Sequence, residues 1–275
     1  MNKSLLLIGK PHASKTVFLS QFYSRLRKNK SKLSLYKPVE DLSPIAAVRD
    51  ALSNGEQPET TPPERNVKFN IPIRRGNEHI DFLCPEYGGE QVNQIIENRE
   101  VNTEWESAIK NSDHWILFIR LGSVSKSLDI SEVTVEEKTI AAPPDQERPK
   151  HVLSEQSSYI ELLQILLHYK NHDYHFLNRA VTLTVALTCW DELETKELPS
   201  KLLQERMPLV KSFLESNWDK SKLNIVGLSA QGFSLQDREN QEKYQIEGPE
   251  KFGYLIFADG QDTDDITELI DIALQ

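Results

Sequence analysis

The sequence predicts an α/β fold, a mixed and mostly parallel sheet flanked by helices. Two observations carry this. Apolar runs rich in Leu, Ile, Val and Phe alternate with helix-patterned stretches along nearly the whole chain, as expected of strands joined by crossover helices. One pair, VKFNIPIRR (67–75) and HIDFLCP (79–85), is instead joined across Gly76-Asn77. That reads as an antiparallel hairpin and makes the sheet mixed.

The elements follow in order. SLLLIG (4–9) is a buried first strand, and a helix begins at about Lys15 and runs through VFLSQFYSRLRKN. PIAAVRDALSNG (44–55) is a second helix ending at Gly55, a suitable C-cap. EQPETTPPE (56–64) is irregular, and the hairpin follows. YGGEQV leads into one helix, VNQIIENREVNTEWESAIKN (92–111), and WILFIRLG (115–122) is a buried strand. SSYIELLQILLHYKNH (157–172) is helical and apolar on most faces. AVTLTVALTCW (180–190) is a strand, PSKLLQERMPLVKSFLESN (199–217) a helix, and LNIVGLSA (223–230) a strand. FGYLIFAD and a last helix, DDITELIDIAL, close the chain. Two polar, charged stretches at about 123–154 and 232–250 read as insertions into a single domain spanning 1–275.

The net charge of −10 argues against a duplex nucleic-acid partner, which needs a basic surface to displace counterions. Cys84 and Cys189 imply no disulfide framework, so a cytoplasmic location fits. Nowhere do ~18 apolar residues run together, so no membrane span is expected.

Four motifs lie at the C-terminal ends of expected strands, where open α/β sheets bind ligands. First, GKPHASKT (9–16) is one residue from the phosphate-loop pattern GxxxxGKT: Ser14 stands where the second glycine belongs. Such a loop turns its backbone N–H groups toward phosphates, with a helix N-terminus behind them. Lys15 is expected at the β- and γ-phosphates and Thr16 on Mg²⁺. Serine at position 14 costs backbone freedom rather than adding bulk. Second, EYGG (86–89) fits a DxxG pattern with glutamate for aspartate. Glu86 is placed to reach Mg²⁺ through water and Gly89 to meet the γ-phosphate. Glu90 follows where a water-orienting glutamine often stands. Third, TCWD (188–191) fits NKxD or TKxD, whose carboxylate accepts from N1 and N2 of guanine. Cys189 occupies the lysine position. Fourth, Ser229 and Ala230 match an SA segment whose backbone touches the base.

The same residues have plainer readings: a solvated Lys15, a Gly-Gly turn at 88–89, and Asp191 as a helix N-cap. The order of the four motifs favours the nucleotide reading. His168, His172 and His175 lie at a polar helix end and read as solvated rather than metal-binding.

With these residues in view, the chain resembles the translation-factor-related P-loop GTPases, and more closely the prokaryotic double-GTPase family found in multigene conflict systems. SNGEQPETT (53–61) is similar to that family's G-x-x-P-x-T switch segment. The GGE switch, the T-x-W-D base motif and FGYLIFADG…DDITELI add to the likeness. The resemblance implies a P-loop GTPase-like domain that binds GTP or GDP with Mg²⁺. Backbone from Gly9 through Ala13, Ser14, Lys15 and Thr16 to Val17, with Gly89, is implied to hold phosphates. Thr188, Asp191, Ser229 and Ala230 surround the base. Thr16, Glu86 and Thr60 or Thr61 ligate metal, the threonine doublet remaining open. Lys15, Glu90 and the switch threonine form the catalytic set. A protein partner reading residues 56–65 and 86–92 is implied as well, from the same multigene system. Two alternatives stay open: a pseudo-GTPase serving as an interaction module, and a P-loop ATPase.

Overall fold

The computed structural model describes residues 3–28, 31–59, 69–84, 90–124, 154–171 and 181–275. The chain opens with β1 (Lys3–Gly9), α1 (Lys15–Arg27), β2 (Leu33–Leu35) and α2 (Ser43–Ser53). The hairpin β3 (Phe69–Arg75) and β4 (Glu78–Cys84) leads to α3 (Glu90–Asn98), α4 (Thr103–Asn111) and β5 (His114–Arg120). After α5 (Glu155–Asn171) come β6 (Thr182–Thr188), α6 (Pro199–Arg206), α7 (Pro208–Asn217) and β7 (Leu223–Ser229). The chain closes with α8 (Arg238–Glu247), β8 (Tyr254–Ile256), β9 (Asp262–Thr263) and α9 (Glu268–Ala273).

These strands form one sheet in the order β2-β3-β4-β1-β5-β6-β7-β8-β9. Its middle, β4-β1-β5-β6-β7, is parallel, and both flanks are antiparallel. The mixed, mostly parallel α/β architecture is therefore as expected, with more antiparallel pairing than the single hairpin. Continuous apolar strands have a simple cause. On β1, Leu5 and Leu7 face one core layer with Phe18, Phe22 and Leu269, while Leu6 and Ile8 face the other with Trp105, Leu162 and Leu166. Both faces are covered by helices, so no polar alternation survives.

Local chemistry corrects three expectations. The helix expected over 92–111 is two: Arg99 turns left-handed at φ 56°, and the Asn102 side chain then caps α4 by accepting from the Glu104 and Trp105 N–H groups. The helix expected over 199–217 breaks before Pro208, because the residue preceding a proline is pushed out of the helical region; Met207 has φ −138° and ψ 61°. The charged stretch 232–250 contains α8, whose Tyr244 is fully buried against Val48 and Leu52 of α2 and stacks on Phe252 at 4.6 Å. Residues 125–153 of the other insertion lie outside the described residues.

The C-terminal segment is fastened to α1 by one arginine. Arg25 has a side chain only 5% exposed, pairs with Asp265, and donates to the carbonyls of Asp264 and Phe252. Multiple backbone acceptors suit a guanidinium fork better than an ammonium.

Candidate functional site

The site lies where β1, β5, β6 and β7 end side by side, Gly9 beside Phe118, Arg120 beside Thr188, and Thr188 beside Leu228. β1 lies inside the sheet with β4 on one side and β5 on the other, so its C-terminal end stands at the position where open α/β sheets reverse their strand order and take up ligands.

The loop between β1 and α1 is wound tightly. His12 and Ser14 both adopt left-handed backbone, at φ 59° and φ 61°. Such a conformation is easy for glycine and costs an L-residue roughly 1–2 kcal/mol. Ser14 thus keeps the conformation that glycine provides in the phosphate-loop pattern. Gly9 meets a different demand. A methyl there would stand 3.1 Å from the Phe118 Cβ and 3.3 Å from the Lys15 Cδ, so the lysine stem passes beneath it. The Lys15 ammonium donates to the carbonyls of Gly9 and Lys10, both at 2.6 Å. Although part of the residue touches solvent, the ammonium is enclosed, and burial holds its pKa down at about 8. It has no ion pair among the described residues. An enclosed cation that donates to carbonyls and has no ion pair among the described residues fits an incoming anion, and phosphate is the anion this loop geometry suits.

Ala13 is buried at the loop, Thr16 and Val17 stand in the first turn of α1, and Thr188 ends β6 with its hydroxyl buried and without a partner among the described residues. After Thr188 the chain turns at Cys189, left-handed at φ 53°, into a short 3-10 turn over Trp190–Leu193. Asp191 in that turn accepts from the Ser229 hydroxyl, which in turn accepts from the Gly232 N–H at 2.8 Å. The carboxylate's other oxygen has no hydrogen-bond partner among the described residues. Asp191 is therefore not the helix N-cap that a plainer reading allowed. Burial lifts the Cys189 thiol to about 12.

Glu90 is exposed at the first residue of α3. Thr60, Thr61, Glu86 and Gly89 lie outside the described residues, as do His172 and His175. Among the described residues no cluster of three or more His, Cys, Asp or Glu side chains could hold a metal ion.

Several contacts around the site were not expected. Lys10, inside the loop, reaches outward to Glu155 at 3.0 Å and to Ser158 of α5, with its ammonium 4.5 Å from the centre of the Tyr159 ring. Gln231, directly after Ala230, donates its side-chain N–H to the Gln57 amide oxygen at 3.0 Å, and Tyr244 of α8 donates to the Gln231 backbone carbonyl. Gln57 also receives the Leu235 N–H. The one available hint was Tyr244 itself, an aromatic inside a charged run.

The fold and this loop define a P-loop nucleotide-binding protein. Residues 6–273 match the double-GTPase 1 family, and the chain belongs to it. It is thus a GTPase-like protein of a guanine-nucleotide-binding family. Among solved structures it is similar to the small GTPase Arl6 (BBS3) of Trypanosoma brucei with bound GppNp, at 10% identity and TM-score 0.41, covering 90% of this chain and 96% of that one. It is also similar to elongation factor SelB of Methanococcus maripaludis in complex with GppNHp, at 13% identity and TM-score 0.38, covering 90% of this chain and 34% of that one. A bacterial selenocysteine-specific elongation factor gives 14% identity and TM-score 0.38, with 90% and 29% covered. The chain thus spans about a third of the length of the two elongation factors. No curated protein matches it. No helix among the described residues is long and apolar enough to cross a membrane.

Proposed function

We propose that the chain is a slow GTP-hydrolysing switch, a single cytoplasmic domain that binds GTP and GDP with Mg²⁺. The observation that carries the reading is the Lys15 ammonium folded back onto the Gly9 and Lys10 carbonyls in the left-handed turn after β1, at the same end of the parallel strands as the Asp191–Ser229 pair beyond β6 and β7. In this reading Lys15 and the backbone from Gly9 to Val17, Ala13 and Ser14 included, hold the phosphates. Thr16, Thr60 or Thr61, and Glu86 through water hold Mg²⁺, which when bound supplies charge neutralisation for the phosphates. Gly89 meets the γ-phosphate. Asp191 accepts from N1 and N2 of guanine, with Thr188, Ser229 and Ala230 around the ring.

Glu90 orients the attacking water. Its carboxylate lies in the first turn of α3. That negative charge is poorly matched to a γ-phosphate unless a cation offsets it, so turnover is slow until a partner supplies one. Contacts to the γ-phosphate order residues 56–65 and 86–92 and change the surface offered to that partner. Membership of the double-GTPase family supports a partner from the same prokaryotic conflict system.

Calorimetric titration with GTP, GDP and ATP, each with Mg²⁺, tests the reading. Tight GTP and GDP binding with weaker ATP binding is expected, whereas equal affinity for ATP and GTP would overturn base recognition by Asp191.

A further inference from the structure

A carboxylate discriminates between bases only if it is held to within about 0.5 Å of its working position. The turn that carries Asp191 has little of its own to hold it. It is four residues long, bounded by left-handed Cys189 and Glu194, and closed by a Glu192 N–H bond to the Cys189 carbonyl at 3.0 Å. Neighbouring strands supply the rest. Trp190, 5% exposed, lays its ring on the backbone of Gly227 within β7. A methyl at Gly227 would stand 2.5 Å from its Cε3 and 2.6 Å from its Cδ2. Glycine is needed there for the close approach of the ring, as glycine inside a strand often signals. On the other side of Asp191, the Arg120 guanidinium at the end of β5 grips Glu192 with two bonds, Nε to Oε2 at 3.0 Å and Nη2 to Oε1 at 2.6 Å. A partly exposed pair of this kind stabilises a fold by only about 0–1 kcal/mol, but its fork fixes direction well.

We infer that Trp190 and Arg120 are positioning residues for base selectivity. The indole seated on Gly227 and the guanidinium fork on Glu192 hold the turn on both sides of Asp191. They take over the alignment that a lysine at the Cys189 position would otherwise support. The inference rests on the reading of Asp191 as the acceptor for guanine.

The test measures displacement of a fluorescent guanine nucleotide from the full chain by GTP and by ATP, with Mg²⁺, for the wild type, Gly227→Ala, Arg120→Gln and Asp191→Asn. ATP carries the same phosphates and ribose but no donor pair for the carboxylate, so it reports the fold and the phosphate loop. The GTP-over-ATP ratio should fall by at least ~10-fold in Gly227→Ala and by ~3-fold or more in Arg120→Gln, with ATP affinity within ~2-fold of wild type in both. A purely structural role would lower both nucleotides together. Should Gly227→Ala fail to fold, ATP binding disappears too; Arg120→Gln, changed at a side chain 34% exposed, then decides alone. If both variants keep the wild-type ratio while Asp191→Asn loses it, the positioning inference is wrong and the reading of Asp191 stands. If the wild type shows no preference for GTP, or Asp191→Asn retains one, the reading of Asp191 fails and the inference falls with it.

Discussion

Raising the pH from 7 to 9 should weaken GDP binding by about 10-fold, and the factor can be worked from Lys15. In the free protein, burial holds the ammonium at about 8. Bound phosphates add negative charge beside it and raise that value, so binding takes up a proton once the free lysine has begun to lose one. While the pH stays below the bound value, the apparent dissociation constant grows as one plus ten to the power of pH minus 8. That is about 1.1 at pH 7, about 2 at pH 8 and about 11 at pH 9. Stability of the free protein runs the other way. The folded value lies below the 10.5 of an ordinary lysine, so the buried charge is a burden at all pH values below about 8 and is relieved as pH rises from there to 10.5. The melting temperature of the free wild type should therefore climb across that window relative to Lys15→Met, which has no charge to lose. The assay is a fluorescent-GDP titration at constant ionic strength, with Lys15→Arg as reference, because a guanidinium stays charged throughout. Titration of the nucleotide itself appears equally in both proteins and cancels. Parallel curves for wild type and Lys15→Arg between pH 7 and 9 would refute the argument.

Four further outcomes are expected. Asp191→Asn should erode the preference for GTP over ATP by ~10-fold or more and improve xanthine-nucleotide binding, since each bond to the carboxylate is worth about 1.5–3 kcal/mol; competition titration checks it. Ser14→Gly should bind GTP equally or better and shift stability by less than ~1 kcal/mol. Relief of left-handed strain is there partly offset by the greater freedom of glycine in the unfolded chain, and denaturant melts with GTP titrations measure both. Arg25→Ala should cost about 2–4 kcal/mol in urea unfolding, because the Phe252 and Asp264 carbonyls and the Asp265 carboxylate lose their shared partner; an unchanged midpoint would show the staple to be idle. Single-turnover hydrolysis by the isolated chain should run well below ~1 per second; fast hydrolysis abolished by Glu90→Ala would mean that no partner is needed.

The elements around the candidate site that the sequence placed are those whose signals are local. An apolar strand, a turn and a helix start lie within fourteen consecutive residues from Lys3 to Thr16, so β1, the loop and α1 could be placed without knowing what packs on them. The places of Asp191, in the turn after β6, and of Ser229, the last residue of β7, were legible for a related reason, since both strands are continuous apolar runs whose ends stand out in the sequence. The proline break before α7 was equally local and was passed over in favour of the apolar periodicity. What stayed hidden depends on long-range packing. Gln57 and Gln231 are 174 residues apart, and no pattern in either neighbourhood marks the amide pair. α8 reads as a solvated charged stretch, because the surface that buries Tyr244 is contributed by α2, Phe233 and Phe252. Trp190 stands in the T-x-W-D motif, but nothing in the sequence shows that Gly227 lies beneath its ring.

The two borders of the sheet bear on how this protein can be touched. A sheet border is normally a ready template for a visiting strand, through its row of unpaired N–H and C=O groups. Among the described residues the outermost strands are β2, three residues long, and β9, two residues long. Lys32 and Lys37 flank the first, and Asp259 and Asp264 flank the second. So short and charged a margin gives a peptide too little backbone to zip onto and discourages sheet-to-sheet stacking between copies in a concentrated solution. A partner of the kind proposed above would then read side chains on loops and helices, which can differ between GTP and GDP forms, rather than backbone pairing, which would be the same in both.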